Sequence, residues 1–296
     1  MHALVTGATG FVGSALVPEL VSDGHIVTAM VRDTSSYVPP EGVRVVEADL
    51  LDRASLEGVF DGIEVAYYLV HSLQAGEHFA ERDRSAASNF ASAATEAGVD
   101  RVIYLGGLGE TGSELSAHLR SRQEVESILA DGGYSLTTLR AAIIIGAGSA
   151  SFTMVRQLAA RLPVMVTPRW VRTPCQPIAL ADVLGYLVGV LEVPETAGET
   201  FEIGGPEVLT YEELMRMTAS HLGKRPIIIP VPLLTPELSV YWVDLVTDVP
   251  KSVAHPLIYG LKNPVVATDT RIRDLVPIEL TPFDEAVEHA LYDERR

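Results

Sequence analysis

The first half of the chain alternates short apolar runs with longer segments in which apolar residues recur at helical spacing. The apolar runs predict strands at residues 3–6, 25–31, 43–48, 63–70, 101–105 and 135–145. The other segments predict helices over residues 11–22, 54–60, 77–97 and 113–130. This alternation predicts an α/β fold of the Rossmann type, a doubly wound parallel sheet with right-handed crossovers and helices on both faces. Ligands of such sheets bind beyond the carboxyl ends of the strands.

The second half is less regular, and most of the 18 prolines lie after residue 150. Its pattern predicts a helix and then a proline-rich loop within 150–176, helices over 177–192, 211–222 and 282–291, and strands at 200–203 and 227–231. We therefore predict a Rossmann domain over residues 1–150. A smaller, interleaved C-terminal lobe takes up residues 151–296, with 177–204 returning to the Rossmann sheet.

Composition narrows the class of protein. Apolar residues make up 47% of the 296 residues, which suits a sizeable core and excludes general disorder. Lys and Arg number 22 against 39 Asp and Glu, and the formal net charge of −17 argues against broad binding to nucleic acid or anionic membranes. The single cysteine, Cys175, excludes an internal disulfide. With no signal pattern and no long apolar run, the chain is expected to be cytoplasmic and without a membrane span.

A glycine-rich segment, residues 6–13, has the form TGxxGxxG and joins the first predicted strand to the first helix. Gly7 permits a tight turn, Gly10 lets a pyrophosphate approach the backbone, and Gly13 lets the helix pack closely on the sheet. Backbone amides and the positive helix end then bind phosphate. The motif predicts a dinucleotide site rather than a bare structural turn. Its contact residues are Gly7, Thr9, Gly10, Phe11, Val12 and Gly13.

The end of the second strand indicates which cofactor is bound. A Rossmann fold that binds NAD usually places a carboxylate there, to bond the 2′-hydroxyl of the ribose. Here the strand is followed by Arg32 and then Asp33. Arg32 lies where a guanidinium can bind a 2′-phosphate, whereas Asp33 is interpreted as a solvated carboxylate of the loop. We therefore predict NADP(H) in preference to NAD(H), which stays the alternative.

The next two strand ends add further candidates. Asp49 follows the third strand and is a candidate acceptor for the adenine amino group, while Leu50 packs on the ring. The alternative role, a helix cap, fits Asp52 better. Val70 and His71 close the fourth strand, where the chain passes beside the nicotinamide ribose. His71 is either a ligand contact or a buried histidine with its hydrogen bonds satisfied.

Taken together, these segments resemble a known superfamily. The residues that carry the resemblance are the glycine motif, Asp49, the glycine-ended fifth strand and the segments 177–183 and 201–206. The chain is similar to the extended and atypical short-chain dehydrogenase/reductases, and most similar to their atypical NAD(P)-binding branch. That branch includes NmrA-like regulators and the accessory subunit of complex I that binds a nicotinamide nucleotide. The resemblance implies that residues 1–150 bind NAD(P) and that 151–296 form mainly the substrate side.

The chain departs from that superfamily at the catalytic positions. Active members carry YxxxK on the helix after the fifth strand, and here those positions are His118 and Arg122. The expected Ser or Thr falls on the glycines 106–107. Arg122 can still hold the ribose hydroxyls, but it cannot relay a proton, because it stays charged. His118 can exchange a proton near neutral pH, or both residues are only cofactor and packing contacts. Tyr67 and Tyr104 lie within strands and are expected in the core.

The substrate side offers fewer signals. Trp170 and Arg172 lie where the superfamily builds its pocket wall, and with His71 they are our substrate candidates. The alternative is a surface loop with an ordinary ion pair. Cys175 is expected to be a packed residue rather than a nucleophile. The eight histidines show no metal-binding spacing, so we expect no metal ligands.

Three functions follow as hypotheses. The leading one is an NADP(H)-binding atypical short-chain dehydrogenase/reductase, an oxidoreductase with an altered Tyr/Lys site acting on a small molecule. The second is a non-catalytic NAD(P)(H)-dependent sensor or assembly factor with a protein partner, which the changed catalytic positions favour. The third, an NAD(P)-dependent epimerase or dehydratase, is weakened by the loss of the tyrosine.

Overall fold

The computed structural model describes residues 1–72, 78–109, 117–231, 246–260 and 263–294. Its strands are β1 (His2–Thr6), β2 (Ile26–Val31), β3 (Arg44–Glu47), β4 (Val65–Tyr68), β5 (Arg101–Gly107), β6 (Ser135–Ala141), β7 (Ile144–Ile145), β8 (Val164–Pro168), β9 (Pro174–Cys175), β10 (Ile178–Ala179), β11 (Thr200–Ile203), β12 (Leu209–Thr210) and β13 (Ile227–Val231). Its helices are α1 (Phe11–Ser22), α2 (Phe79–Glu96), α3 (Ala117–Ala130), α4 (Ala150–Arg161), α5 (Leu180–Glu192), α6 (Tyr211–His221), α7 (Lys251–Gly260), α8 (Arg271–Leu275) and α9 (Phe283–Asp293).

The central sheet has seven parallel strands in the order β11-β6-β5-β4-β1-β2-β3. Chain order reverses at β1, which pairs with β2 on one side and with β4 on the other. This reversal creates the crevice at which doubly wound sheets bind their ligands. The arrangement confirms the predicted Rossmann-type sheet, and β11 is the predicted strand that returns to it.

Alternating side chains give the sheet two buried faces. Along β1, Val5 packs with α1 and α5 on one face, whereas Leu4 packs with α2 and α3 on the other. Tyr67 and Tyr68 divide between the same two layers. Helices thus cover both faces, as burial of an all-parallel sheet requires.

The remaining elements build a second core, formed by apolar residues of α4, α6, α7 and α9. Small strand pairs support it: β13 pairs with β8 in parallel, β12 with β9 antiparallel, and β10 with β7 in parallel. Within the described ranges, no helix combines the length and the apolar character needed to cross a membrane.

Several predicted elements differ from the structure, and the helix expected over 177–192 begins only at Leu180, after the strand β10. The single strand expected over 135–145 is two, because the chain leaves β5 at Ala141 and pairs with β10 from Ile144. The helix expected over 54–60 is a 3-10 turn, Arg53–Leu56, followed by Gly58 with φ +72°. The proline-rich loop expected before residue 176 contains β8, whose partner β13 lies far along the chain.

Candidate functional site

The glycine motif forms the turn between β1 and α1. Gly7 has φ +71°, and a Cβ atom there would lie 2.8 Å from the carbonyl oxygen of Leu69. A Cβ atom on Gly13 would lie 2.2 Å from the carbonyl oxygen of Gly7. The amide of Gly10 donates to that same oxygen at 2.8 Å. Only glycine fits at positions 7 and 13, so the motif brings α1 into direct contact with the end of β1.

The N-terminus of α1 is open to an anion. Gly10 is its N-cap and supplies no side-chain hydrogen bond, and its first turn contains no acidic residue. The first amides of the helix have no partner within the helix, and the helix dipole is positive there. Thr9 and Gly10 are exposed, and Phe11 and Val12 are half-buried. This open and uncapped helix end fits the phosphates of a dinucleotide.

Two neighbouring residues at the end of β2 differ in their hydrogen bonds. Asp33 accepts from the amide of Ser35 at 2.9 Å and from its hydroxyl at 2.6 Å. The hydroxyl bond and then the amide bond hold the pKa of Asp33 below its usual range. Arg32 is exposed, and within the described residues it has neither a hydrogen bond nor an ion pair. The arginine is therefore free to meet a ligand, whereas the carboxylate is held by its own turn.

A second carboxylate close to this turn is also bonded within the protein. Glu47, the last residue of β3, accepts from the amide of Thr34 at 3.0 Å and from its hydroxyl at 2.9 Å. The amide bond and then the hydroxyl bond lower the pKa of Glu47. One oxygen of each carboxylate beside Arg32 is thus bonded within the loop, Oδ1 of Asp33 and Oε2 of Glu47.

The two predicted adenine contacts, Asp49 and Leu50, lie in different environments after β3. Asp49 is half-buried, and its Oδ1 accepts from the amide of Leu51 at 2.9 Å. Leu50 is only 4% exposed and packs within the core on the α2 side of the sheet. Its contact with adenine stays a prediction, but little of its surface is left to make one. The predicted cap is Asp52, which accepts from the amide of Ala54 at 3.1 Å.

The loop after β4 brings two predicted residues beside the glycine turn. Val70 is half-buried, and one of its methyl carbons lies 3.4 Å from the place of a Cβ atom on Gly7. His71 is an exposed residue, although protein atoms around its ring partly desolvate it. That desolvation, followed by the positive charge of Arg122, lowers the pKa of His71 to about 4. His71 is consequently neutral at pH 7.

Arg122 is bound to a carboxylate that sequence reasoning missed. Its Nη2 lies 2.6 Å from Oδ2 of Asp83, and the two side chains are 8% and 2% exposed. Asp83 also accepts from the hydroxyl of Ser121 at 3.1 Å and from the amide of Ser72 at 2.7 Å. The predicted contact of Arg122 with the ribose stays a prediction. Nη2 of its guanidinium already bonds Asp83 of α2. The sequence did contain one sign of this buried carboxylate. Asp83 stands four residues after Phe79, so the two lie on the same buried face of α2.

The remaining residues considered for catalysis lie in α3, β4 and β5. His118 lies in the first turn of α3, but its side chain is outside the described part of the structure, as are residues 110–116. On Gly107, a Cβ atom would lie 3.6 Å from Cγ of Arg122, so this glycine does face the position of the superfamily's lysine. Tyr67 and Tyr104 are fully buried, which confirms them as core residues.

On the substrate side, Arg172 is exposed and lies 3.5 Å from Glu212, an ordinary surface ion pair. The side chain of Trp170 is outside the described residues. Cys175 is confirmed as packed, since it is fully buried and burial raises the pKa of its thiol to about 12.

A cavity of about 540 Å³ opens at the carboxyl ends of β5, β6 and β11. Its lining includes Gly109, Arg140 and Glu202, together with part of the loop 264–268. Arg140 is held by a two-fold hydrogen bond to Glu126, at 3.0 and 2.7 Å. The cavity therefore lies on the same edge of the sheet as the glycine turn and presents polar groups on rigid supports.

Comparison with known proteins agrees with this geometry. Residues 7–158 match the model of a family described as NAD(P)H-binding. The chain is 26% identical to a mitochondrial protein of Arabidopsis thaliana, subunit 9 of the NADH dehydrogenase [ubiquinone] 1 alpha subcomplex, over 92% of this chain and 71% of the relative. It is 27% identical to the (4-alkanoyl-5-oxo-2,5-dihydrofuran-3-yl)methyl phosphate reductase of Streptomyces griseus, over 97% of both chains. The NADPH-dependent quinone oxidoreductase of Escherichia coli has the same fold, with a TM-score of 0.77 at 22% identity, over 98% of this chain and 100% of the other.

Proposed function

Because this chain belongs to the NAD(P)H-binding family, we propose that it is an NADP(H)-dependent oxidoreductase of the atypical short-chain dehydrogenase/reductase branch. The observation that carries the proposal is the turn at Gly7 and Gly13, which leaves an uncapped helix end facing the crevice of the sheet. When bound, a nicotinamide nucleotide supplies or accepts a hydride. The first turn of α1 would hold its phosphates, and Val70 and His71 would line its path toward the substrate side.

Preference for NADP(H) follows from the loop after β2. Arg32 is exposed and has no partner among the described residues, whereas Asp33 and Glu47 are bonded to their own loop. A free guanidinium forms charge-assisted bonds with a phosphate, and it offers nothing equivalent to a bare hydroxyl. This arrangement supports Arg32 as the residue that recognises the 2′-phosphate.

On the substrate side we propose that the cavity beside Arg140 and Glu202 receives a polar small molecule. His118 is proposed to exchange a proton with it, since a histidine stands where the superfamily has its tyrosine. Support for reduction as the reaction comes from the relative in Streptomyces griseus, whose name is that of a reductase. The cytoplasmic location stays a prediction, and one relative is mitochondrial.

The test is NADPH oxidation by the purified protein with panels of carbonyl compounds, quinones and enones. We expect turnover with at least one class. His118→Phe should lower that turnover by roughly 10²–10⁴-fold while NADPH affinity is kept. His289→Phe, on the exposed surface of α9, is the control. Turnover that survives His118→Phe at full rate would leave the oxidoreductase and remove the proton-transfer role.

A second function is favoured by one observation, the commitment of Arg122 to Asp83. With that guanidinium bonded to α2 and no tyrosine at position 118, a non-catalytic sensor or assembly factor with a protein partner is the alternative. The relative in Arabidopsis thaliana is named as a subunit of a larger assembly. For this function, no substrate panel gives turnover, and oxidised and reduced cofactor bind with different affinity.

A further inference from the structure

Three side chains of metal-binding type converge at the amino-terminal edge of the sheet, opposite the glycine turn. Asp23 follows α1, His25 precedes β2, and Glu192 is the last residue of α5. One ligand atom from each lies within 4.8 Å of the other two, and among the described residues this is the group that could hold a metal ion. Sequence spacing did not indicate it, because Glu192 comes from a distant part of the chain.

His25 is the residue that points to a ligand. Its side chain is 6% exposed, and its Nε2 atom is buried without a hydrogen-bond partner in the structure. That nitrogen lies 3.1 Å from Oδ2 of Asp23 but does not meet the geometry of a hydrogen bond. Leaving a buried polar atom unpaired is costly, so such atoms usually have a partner. An imidazole nitrogen with two carboxylate oxygens within 4.8 Å of it is a typical set of metal ligands.

The backbone around the three residues also favours a cation. Helices α1 and α5 both end here, and neither has a basic residue in its last turn. The C-terminal end of a helix carries a partial negative charge, which adds to that of the two carboxylates. The neighbouring cation, Arg101, is occupied elsewhere, since it donates to the carbonyl of Val190 at 2.8 Å and to Thr137.

We propose that Asp23, His25 and Glu192 bind a first-row divalent cation of the zinc type. An imidazole with two carboxylates suits zinc better than magnesium or calcium, which prefer ligand sets made of oxygen alone. Tetrahedral zinc with bonds of about 2.0–2.2 Å places its ligand atoms roughly 3.3–3.6 Å apart, so binding requires the exposed carboxylates of Asp23 and Glu192 to rotate toward His25. The ion would tie the end of α1 to the end of α5 and so stabilise the fold away from the cofactor.

Titration calorimetry with zinc chloride tests the site, on full-length protein stripped with a chelator and free of any histidine tag. We expect one zinc ion per chain, at least about tenfold weaker binding in His25→Gln and in Glu192→Gln, and no binding of magnesium. The thermal midpoint of the wild type should rise with zinc, and this rise should be lost in Glu192→Gln. Because Glu192 is exposed, that variant is expected to fold even where His25→Gln does not.

His289→Gln is the matched control, since His289 also lies near a carboxylate but on the surface, with Glu285 at 3.8 Å. It should bind zinc as the wild type does. NMR of the ¹⁵N-labelled imidazole adds a direct readout, in which Nε2 of His25 shifts on addition of zinc. The proposal is overturned by an absence of zinc binding, by affinity unchanged in Glu192→Gln, or by an imidazole signal that does not respond and matches a protonated His25 paired with Asp23.

Discussion

At the residue scale, the loop after β2 gives adjacent charged side chains opposite roles. Oδ1 of Asp33 accepts from the amide and the hydroxyl of Ser35, and Arg32 is exposed without a partner in the described structure. We proposed above that this arginine recognises the 2′-phosphate, the group by which NADP(H) differs from NAD(H). The prediction rests on a guanidinium that makes no bond within the described residues.

Substitution of Arg32 should therefore act on one cofactor only. We expect Arg32→Ala to weaken NADPH binding by about 1.5–3 kcal/mol, the worth of a hydrogen bond to a charged group, and to leave NADH binding unchanged. Calorimetry of both proteins with both nucleotides measures this. Arg44→Ala, an exposed arginine on the adjacent strand β3, is the control. Equal affinity of the wild type for NADPH and NADH would contradict the prediction.

The environment of His71 leads to a pH dependence. Its pKa is about 4 in the folded chain and about 6.5 when unfolded, so the unfolded state takes up the proton first as the pH falls. Stability should therefore decrease from about pH 6.5 down to pH 4, with no further contribution from this group below that. The NMR titration midpoint of His71 should lie well below 6.5, the ordinary value for a histidine. The free energy of unfolding, measured with urea at several pH values, should fall less steeply between pH 6.5 and pH 4 in His71→Gln than in the wild type. An equal dependence on pH in the two proteins would exclude His71 as the cause.

At the scale of elements, one buried carboxylate joins α2, α3 and the loop after β4. Asp83 bonds Arg122, the hydroxyl of Ser121 and the amide of Ser72. The loop that carries His71 is thus fixed to the helix that carries His118. We expect a change at this contact to affect both His71 and His118.

Removal of that carboxylate should be far costlier than removal of a surface one. Asp83→Ala leaves the buried charge of Arg122 unpaired, which is expected to cost about 3–5 kcal/mol in urea unfolding. The same two helices also share an exposed ion pair, Arg84 with Glu124 at 2.9 Å. Glu124→Ala should cost no more than about 1 kcal/mol. Similar losses in the two variants would show that the buried pair has no special weight.

The contact between α1 and β1 permits a second test at this scale. Gly13→Ala would place a methyl group 2.2 Å from the carbonyl oxygen of Gly7, so the helix must move away from the strand. We expect a loss of about 1–3 kcal/mol in stability, as for other overpacked sites, and a marked loss of NADPH affinity. Ser14→Ala, exposed on the same helix, should change neither. Gly13→Ala with unaltered NADPH affinity would separate the turn from cofactor binding.

Local pattern was sufficient for the elements whose structure depends on near neighbours. Helix α1 and the strands β11 and β13 have the predicted bounds, because periodicity and turn residues mark them directly. Partners distant in the sequence were not visible. The strand β8, the break after Ala141 and the pairing of Arg122 with Asp83 each depend on a contact that no local spacing indicates.

At the scale of the whole molecule, the two halves of the chain share one sheet. Helix α5 packs against α1, and β11 completes the sheet beside β6, so the second half supplies structure to the first. We therefore expect one cooperative thermal transition by calorimetry, raised in temperature by NADPH. At 100 times its dissociation constant, a ligand adds about 2.7 kcal/mol of stability. Two separate transitions, only one of them shifted by NADPH, would indicate halves that unfold independently.

The late return of β11 also matters while the protein is being made. A nascent chain that has reached residue 150 contains six strands of the sheet, and β6 then presents an unpaired edge to the cell. That edge stays open until residues 200–203 leave the ribosome, and during that interval it can pair with other chains. Slow codons between β6 and β11 would lengthen the interval, and holding chaperones would protect it. Synonymous changes in this stretch of the gene could therefore lower the yield of folded protein with no change in any amino acid.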